Sequence, residues 1–232
     1  MIEKKLTLDH RLAAAASFVR DGSVVADIGT DHAFLPVWLL LSGKSRFAVA
    51  SDINKGPLDS AKVNAKKYNA ADKMSFVLIG GICDEECKKR EVTDVVICGM
   101  GGELIGRIID ESTYPKENGV RLVLQPMSFA PELREYLLSH GFDIIDEKLC
   151  KAAGRVYTVI CAEYDGIVRE YSDVELVLGR KNIEKRDELF AEYAKKAANK
   201  LETQIKGKTS GGLDCTDETE LYRKITELAE EK

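Results

Sequence analysis

The sequence of 232 residues lacks the features that mark membrane and exported proteins. No apolar segment approaches the roughly 20 residues that a transmembrane helix needs. The N-terminal stretch carries a short alanine run, but Asp9, His10 and Arg11 interrupt it. This stretch also lacks the apolar block and the following cleavage site of a signal peptide. We therefore expect no membrane partner, and the alanine run predicts a first amphipathic helix.

The cysteines do not form the patterns that bind zinc. None of the six belongs to a C-x-x-C pair, and the spacing Cys83-x3-Cys87 has no companion His-Cys cluster. Cys98, Cys150 and Cys161 fall in apolar, strand-like runs, as buried free thiols do in a reducing compartment. The sequence therefore predicts a cytoplasmic protein without a metal.

An excess of positive charge is also absent, because the formal net charge is −5 at pH 7. This balance argues against a protein that binds nucleic acid through bulk electrostatics, although a local basic patch stays compatible with it. Hydrophobic content of 44% and charged content of 31% are ordinary for a globular chain with a buried core. The length suits one large domain, or a domain of about 150 residues with an appendage.

What the sequence does contain is a regular alternation of short apolar runs and helical patterns. This alternation predicts a mostly parallel sheet that is covered by helices on both faces. The apolar runs are 24–28, 47–51, 74–79, 92–98 and 120–126, and the helical patterns are 34–41, 56–68, 84–90, 103–111 and 131–139.

The pattern changes after residue 140. Segments 142–150 and 155–164 are both strand-like, and only four residues separate them. Four residues cannot hold a crossover helix, so the two segments must form an antiparallel hairpin. A Rossmann-like α/β sheet of seven strands that closes with such a hairpin is typical of class I methyltransferases. A dinucleotide dehydrogenase normally continues with further parallel units.

From about Val168 onward the patterns are helical, with a break over residues 206–214 and Thr216 as a predicted helix cap. We predict a sheet domain over 1–165 and a C-terminal helical hairpin domain over 166–232, which could form a coiled coil. The helical arm is either a solvated appendage or an arm that binds nucleic acid or a partner, because acidic residues nearly match its basic ones. The basic residues are Arg180, Lys181, Lys185, Arg186, Lys195, Lys196 and Lys200.

The first apolar run ends in a turn that favours a ligand. Gly29 permits a sharp turn and a close backbone approach, and the following helix would direct unpaired N–H groups at whatever lies there. The second run ends in Asp52, whose carboxylate can accept both hydroxyl hydrogens of a ribose. Together these features predict a cofactor that contains a nucleoside.

The charges of the turn indicate which cofactor. A nicotinamide dinucleotide needs G-x-G-x-x-G after the first strand, whereas this turn has only Gly29, with Asp27 and Asp31 beside it. Two carboxylates repel a pyrophosphate but attract a sulfonium and an α-ammonium group. The sequence therefore favours S-adenosylmethionine over a dinucleotide. Either carboxylate could instead cap the next helix.

Three further loops should join this turn at the carboxyl ends of the strands, where doubly wound sheets bind their ligands. They are Asp52–Asn54, Gly80–Cys83 and Gly99–Gly102. The last has three glycines in four positions after an apolar strand, which indicates a close backbone approach.

At this point the chain resembles the bacterial tRNA (adenine-22) methyltransferases that modify ring nitrogen one, the TrmK family. The resemblance covers about residues 6–164 and rests on segments that occur in the same order. They are ADIGTDHAFLP (26–36), INKGP (53–57), TDVVICGMGGELI (93–105), LVLQP (122–126) and GRVYTVICAE (154–163). It implies S-adenosylmethionine as cofactor and tRNA as partner. For the chain itself we expect a monomer or a weak homodimer.

The resemblance also implies roles for single residues. The first turn would contact the methionine end of the cofactor, Asp52 would hold the ribose, and Gly99–Gly102 would line the place where base and methyl group meet. Asp31 is the predicted catalytic residue, which would stabilise the cationic product or take its proton. The predicted cofactor-binding residues are Arg11, Asp27, Gly29, Thr30, Asp31, His32, Asp52, Ile53, Gly80, Gly81, Ile82, Gly99, Met100, Gly101 and Gly102.

The chain departs from the family pattern at two sites and in its C-terminal tail. Gly81 stands where the family has an aspartate that can bind the adenine amine, so this contact would come from backbone or from Asp84. Met127 stands where the family has an asparagine. These departures keep two alternatives open: a protein that binds the cofactor without transferring methyl groups while its helical arm docks a partner, and a methyltransferase with a different RNA target. Any RNA would bind a basic face formed by Lys4, Lys5 and Arg11 with the helical arm.

Overall fold

The computed structural model describes residues 6–117 and 119–231. Within these ranges the chain forms seven strands and ten α-helices. The strands are β1 (Ser23–Ile28), β2 (Ser45–Asp52), β3 (Met74–Leu78), β4 (Asp94–Gly101), β5 (Arg121–Ser128), β6 (Phe142–Ala152) and β7 (Arg155–Tyr164). The helices are α1 (His10–Phe18), α2 (Phe34–Leu41), α3 (Lys55–Lys67), α4 (Asp84–Arg90), α5 (Gly102–Asp110), α6 (Ala130–Ser139), α7 (Asp173–Leu178), α8 (Arg180–Lys185), α9 (Phe190–Ser210) and α10 (Thr216–Glu230).

The strands form one mixed sheet in the order β3-β2-β1-β4-β5-β7-β6. Strands β1 to β5 pair in parallel, and β7 pairs antiparallel with both β5 and β6. Ala153 and Gly154 connect β6 to β7, and both have a positive φ, as the two central residues of a tight hairpin turn do. The predicted Rossmann-like sheet with a closing hairpin is therefore confirmed.

Both faces of the sheet are buried, which explains why its central strands read as continuous apolar runs. All six residues of β1 are buried. Helices α1, α2 and α3 cover one face, where Ala15, Leu39 and Ala61 are fully buried. Helices α4, α5 and α6 cover the other face, with Ile105 and Leu133 among its core residues.

The C-terminal helical region differs from the predicted two-helix hairpin. Two short helices, α7 and α8, precede the hairpin of α9 and α10. Gly179 separates them with a φ of +84°, and a side chain there would overlap the buried Glu147 carboxylate. The predicted cap at Thr216 is also wrong, because Asp214 Oδ1 accepts the Thr216 N–H at 3.0 Å.

The hairpin of α9 and α10 is antiparallel. Lys208 near the end of α9 pairs with Glu218 in the first turn of α10, and Arg186 before α9 pairs with Glu231 after α10. These helices share a small core with the β6–β7 hairpin, to which Leu149 contributes. The domain division at residue 165 and the coiled coil stay predictions. Among the described residues, no helix is both long and apolar enough to cross a membrane.

Candidate active site

A cleft of about 800 Å³ opens at the carboxyl ends of β1, β2 and β4. It lies where the strand order reverses between β1 and β4, the position at which doubly wound sheets bind ligands. Its volume is within the range of small-molecule sites. The structure brings most of the predicted cofactor-binding residues together here. The predicted residues that line the cleft are Arg11, Asp27, Gly29, Thr30, Asp31, His32, Asp52, Ile53, Gly80, Gly99 and Met100.

The turn after β1 places a buried carboxylate at the base of the cleft. Asp27 is only 7% exposed, and no cationic side chain of the described residues pairs with it. Burial raises the pKa of Asp27 to about 6; the nearby Thr30 hydroxyl opposes this rise, and the negative charge of Asp52 adds to it. Thr30 lies in the same turn, and its buried hydroxyl has no hydrogen-bond partner within the described ranges. This turn therefore has an uncompensated negative charge and an unused polar atom.

Asp31 and His32 lie at the open side of the same turn. The Asp31 side chain is 75% exposed, and its Oδ2 is 3.5 Å from His32 Nε2. Neither Asp27 nor Asp31 caps the following helix, because the residue at the N-cap of α2 is Ala33, which has a φ of +54° and no side-chain cap. The capping alternative for both carboxylates is therefore excluded, and both are left facing the cleft.

Gly29 is required by the backbone conformation of its turn. Its φ is +74°, and a Cβ at this position would overlap the terminal methyl group of Met100. The side chain of Met100 thus covers the first turn from the β4 side.

The end of β2 combines a carboxylate with apolar surface. Asp52 Oδ1 accepts the Asn54 N–H at 2.7 Å, which fixes the direction of the carboxylate. Ile53 is 70% exposed and Ile79, just after β3, is 38% exposed. Both isoleucines line the cleft beside Gly80. A polar group next to two exposed apolar side chains suits a sugar linked to a planar ring.

Four of the predicted residues lie outside the lining of the cleft: Gly81, Ile82, Gly101 and Gly102. Ile82 is buried in the core against the helices α4 and α5. Asp84, the suggested partner of an adenine amine, is also absent from the lining. Its carboxylate accepts hydrogen bonds from Ser112 and from the Thr113 N–H and hydroxyl, the latter two at 3.0 and 2.8 Å. Asp84 therefore joins the start of α4 to the loop after α5 and is not directed at a ligand.

Packing, and not a ligand, accounts for Gly102. A Cβ at Gly102 would overlap the carbonyl oxygen of Phe129, which is a backbone atom and cannot rotate away. At Gly101 the nearest atom is Ser128 Oγ at 3.3 Å, which belongs to a side chain that can turn. The glycines at the end of β4 and the start of α5 thus serve two purposes, since Gly99 lines the cleft and Gly102 lets α5 approach the β5–α6 loop.

We expect Gly102→Ala to lower the free energy of unfolding by about 1–3 kcal/mol, the usual cost of forcing extra atoms into a packed interior. Urea unfolding followed by circular dichroism measures this loss. Gly101→Ala is the matched control and should stay within about 0.5 kcal/mol of the parent protein. Equal losses in the two variants would contradict the packing interpretation.

Some residues of the cleft were not predicted from the sequence. Gln125 at the end of β5 is fully buried, and its Oε1 has no hydrogen-bond partner among the described residues. Asp9 caps α1 through its Oδ1, which accepts the Leu12 N–H at 2.9 Å, and it pairs with Arg11 at 2.9 Å. The sequence signal that could have identified Gln125 as a cleft residue is a polar side chain at the end of a buried strand. Of the predicted basic face, Lys4 and Lys5 lie outside the described residues.

Among the described residues, no group of three or more histidine, cysteine, aspartate and glutamate side chains could hold a metal ion. All six cysteines are free thiols. The polar groups of the cleft are carboxylates, amides and hydroxyls, together with the guanidinium groups of Arg11 and Arg107 and the imidazole of His32.

Comparison with known proteins agrees with this geometry. Residues 8–160 match the methyltransferase domain family. The chain is 36% identical to the tRNA (adenine(22)-N(1))-methyltransferase of Bacillus subtilis over 170 residues, which are 70% of this chain and 71% of the relative.

Two solved structures extend the likeness to nearly the full chain. The Bacillus subtilis tRNA methyltransferase TrmK superposes with a TM-score of 0.80 at 28% identity, over 97% of this chain and 98% of the other. The Streptococcus pneumoniae protein Sp1610 in complex with S-adenosyl-L-methionine superposes with a TM-score of 0.81 at 29% identity, over 93% and 98%. The chain therefore belongs to the methyltransferase domain family and, within it, to the family of the bacterial tRNA (adenine-22-N1) methyltransferases.

Proposed function

We propose that this protein is an S-adenosylmethionine-dependent methyltransferase that methylates ring nitrogen one of adenine 22 in tRNA. The Bacillus subtilis relative bears the name of this activity, and the Streptococcus pneumoniae protein was solved with the cofactor bound. The observation that carries the proposal is one cleft in which Asp27, Asp52 and the unpartnered Thr30 hydroxyl meet. Such a cleft suits a ligand that combines a positive charge with a ribose.

The polar atoms of the cleft fit this cofactor. Buried polar atoms normally have hydrogen-bond partners, so Thr30 Oγ1 and Gln125 Oε1 are both available to a ligand. The Asp27 carboxylate lacks a cation, and an α-ammonium group would supply one. A pyrophosphate would instead meet two negative side chains, Asp27 and Asp52.

The arrangement suggests how the ligand would lie. The turn with Asp27, Thr30 and Asp31 would hold the methionine end, and Asp52 would hold the ribose hydroxyls. The exposed side chains of Ile53 and Ile79 would contact the adenine ring, which compensates for the missing family aspartate at Gly81. When bound, the cofactor supplies an electrophilic methyl group on a sulfonium sulfur.

The chain's own contribution to the reaction is chiefly positioning. Ring nitrogen one of adenine has a neutral lone pair at pH 7, so no base is needed to make it nucleophilic. The target adenine must leave its stacked position to reach the cleft. Gln125 Oε1 can then accept a hydrogen bond from the exocyclic amino group, and the exposed backbone at Gly99 leaves room for the ring. Holding the reacting atoms in line can supply much of the rate enhancement.

Incubation of unmodified tRNA with protein and labelled methyl donor, followed by mass mapping of the nucleosides, tests this proposal. We expect one methyl group on adenine 22. A tRNA with guanine at this position is the matched control and should take up no label. Methylation elsewhere would indicate a different RNA target.

Asp31 is the proposed catalytic residue. Methylation makes the base cationic, and an exposed carboxylate at the mouth of the cleft can stabilise this charge or take a proton. We expect Asp31→Ala to lower kcat by about 100-fold, the lower end of the range for a positioned acid or base. Single-turnover assays with saturating cofactor measure this loss. Asp59→Ala, an exposed carboxylate on α3, is the control, and full turnover by Asp31→Ala with intact cofactor binding would refute the role.

The second candidate is a protein that binds the cofactor without transferring the methyl group, with the helical arm docking a partner. The departures at Gly81 and Met127 motivate it. Calorimetry with S-adenosylmethionine, followed by the tRNA assay, separates the two candidates. Cofactor binding without transfer to any RNA would favour the second one.

We further propose that the protein acts on tRNA in the cytoplasm as a monomer or a weak homodimer. Its six free thiols suit a reducing compartment.

A further inference from the structure

A second cavity, here called the β5–α9 groove, lies beside the cleft. It has a volume of about 520 Å³ and is bounded by the end of β5, the start of α6, the start of β7 and one face of α9. The side chains that matter for its chemistry are Met127, Phe129, Tyr157, Tyr193, Lys196 and Lys200. Neither the cofactor nor the target base accounts for this groove.

The groove adjoins the cleft through consecutive residues. Gln125 lines the cleft, whereas Pro126 and Met127, which follow it in β5, line the groove. Arg11 lines the cleft and donates from Nη1 to Met127 Sδ at 3.0 Å, so it stands between the two cavities. A polymer that places one unit in the cleft would therefore reach the groove with the next unit.

The lining of the groove combines aromatic rings with cations. The centroid of the Tyr157 ring is 5.8 Å from the central carbon of the Arg11 guanidinium and 5.7 Å from Lys196 Nζ. Lys200 adds a second ammonium group from the next turn of α9, and Glu132 is the only acidic side chain among the lining residues. Rings that stack on bases and cations that pair with phosphates are the two components of single-strand nucleic acid sites.

The backbone conformation of Phe129 also indicates a binding site, independently of the charges in the groove. Its φ is +56°, a conformation that is strained for a bulky residue, yet its side chain is 45% exposed. The Leu133 N–H donates a hydrogen bond to the Phe129 carbonyl oxygen at 3.2 Å, which fixes the backbone. The partly exposed ring lines the groove. Strained residues that present a side chain to solvent cluster at binding sites.

We propose that the β5–α9 groove binds the nucleotide adjacent to the target adenine, which rests on the proposed function. Extrusion of one base into the cleft removes the stacking partner of its neighbour. The neighbouring base then stacks on Phe129 and Tyr157, and its phosphate pairs with Lys196 and Lys200. One face of α9, in the helical arm, thus contacts the RNA. The groove also sets the direction in which the RNA strand leaves the active site.

Two sets of variants of the full-length protein test the proposal with unmodified tRNA as the probe. Lys196→Ala/Lys200→Ala should raise the KM for tRNA about tenfold at low salt, and should lower the exponent of its salt dependence by about 0.7, the contribution of one phosphate contact to a single strand. Phe129→Asn should raise the KM about tenfold through lost stacking. Asparagine tolerates a positive φ, so the fold should be retained, and Phe129→Tyr should restore the KM.

The matched control is Lys206→Ala, which removes another lysine of α9 that pairs with Glu202 at 2.7 Å and does not line the groove. Its KM for tRNA should equal that of the parent protein, and the affinity for S-adenosylmethionine should be unchanged in every variant. Values of KM within twofold of the parent for all groove variants would overturn the proposal. The proposed function fails separately, since the parent protein would then methylate no tRNA at all.

Discussion

Replacing Asp27 with asparagine is expected to make the protein more stable at pH 8 and to weaken its affinity for the cofactor. Burial raises the pKa of Asp27 from its ordinary value of 3.8 to about 6. At pH 8 the Asp27 carboxylate is ionised in both states. Its negative charge is less stable in the folded protein, where it is buried, than in the unfolded chain. A rise of this size corresponds to about 3 kcal/mol, which is the most that Asp27→Asn can add to the free energy of unfolding.

The pH dependence has a definite sign. Because the pKa of Asp27 is higher in the folded state, the folded protein binds the proton more tightly, and its stability rises as the pH falls from 6 towards 3.8. The advantage of Asp27→Asn should thus be largest at pH 8 and should vanish near pH 4. Urea unfolding at several pH values measures it. An advantage that does not change with pH would contradict the assignment to this carboxylate.

Cofactor binding should change in the opposite direction. A neutral amide cannot compensate an ammonium group, and a hydrogen bond to a charged group is worth about 1.5–3 kcal/mol, or roughly 10- to 150-fold in affinity. Calorimetry with S-adenosylmethionine should show at least this loss for Asp27→Asn. For the parent protein, affinity should also fall as the pH drops below 6.

Asp94→Asn is the matched control for Asp27→Asn. Asp94 is fully buried at the opposite end of β4 from the cleft, but it is paired with Arg20 at 3.2 Å and accepts the Thr93 hydroxyl at 2.7 Å. We expect its replacement to lower stability at pH 8 and to leave cofactor affinity unchanged. A gain in stability from both variants would show that burial alone, and not the missing cation, governs the effect.

The second large effect is expected from Arg134→Met. Arg134 and Glu147 form an ion pair at 2.8 Å with side chains 1% and 0% exposed. Arg134 also donates to the carbonyl oxygens of Leu176 at 2.7 Å and Val177 at 3.2 Å, and so it joins α6 and β6 to α7. Removing it leaves the Glu147 carboxylate buried without a cation, which typically costs about 3–5 kcal/mol.

Urea unfolding measures the loss of stability, and limited proteolysis between α7 and α9 should reveal a loosened helical region. The double variant Arg134→Met/Glu147→Gln should recover part of the loss, because it removes the uncompensated charge. Arg121→Met is the control, since its pair with Glu163 is 23% and 33% exposed and should contribute less than about 1 kcal/mol. Equal costs for the two single variants would contradict the interpretation.

The strands of the sheet and their turns could be predicted from local sequence patterns. The predicted helix over 34–41 and the strand over 155–164 coincide with α2 and β7, because each element has a strong periodicity and a clear end. Asp27, Gly29 and Asp52 could be predicted as neighbours since parallel strands bring their carboxyl ends to one edge. The role of Asp84 could not, because its hydrogen bonds go to residues 28 and 29 positions away.

The C-terminal helical region also depends on a long-range contact that local sequence pattern could not predict. The pattern after residue 168 indicated helices, but Gly179 interrupts them because Glu147, 32 positions earlier, occupies the space of a side chain. Gly102 likewise meets a carbonyl group from the next loop. Such contacts join segments that are distant in the sequence, and no local pattern encodes them.

The sequence by itself determined the order of the elements, the carboxylates at the ends of β1 and β2, and the family. Periodicity, turn residues and charge are properties of short segments, and they can be read without coordinates. Only the tertiary structure decided which glycines serve packing, that Asp27 lacks a cation, and that the β5–α9 groove adjoins the cleft. These are properties of distance and burial, which arise only when β5, β7 and α9 pack against each other.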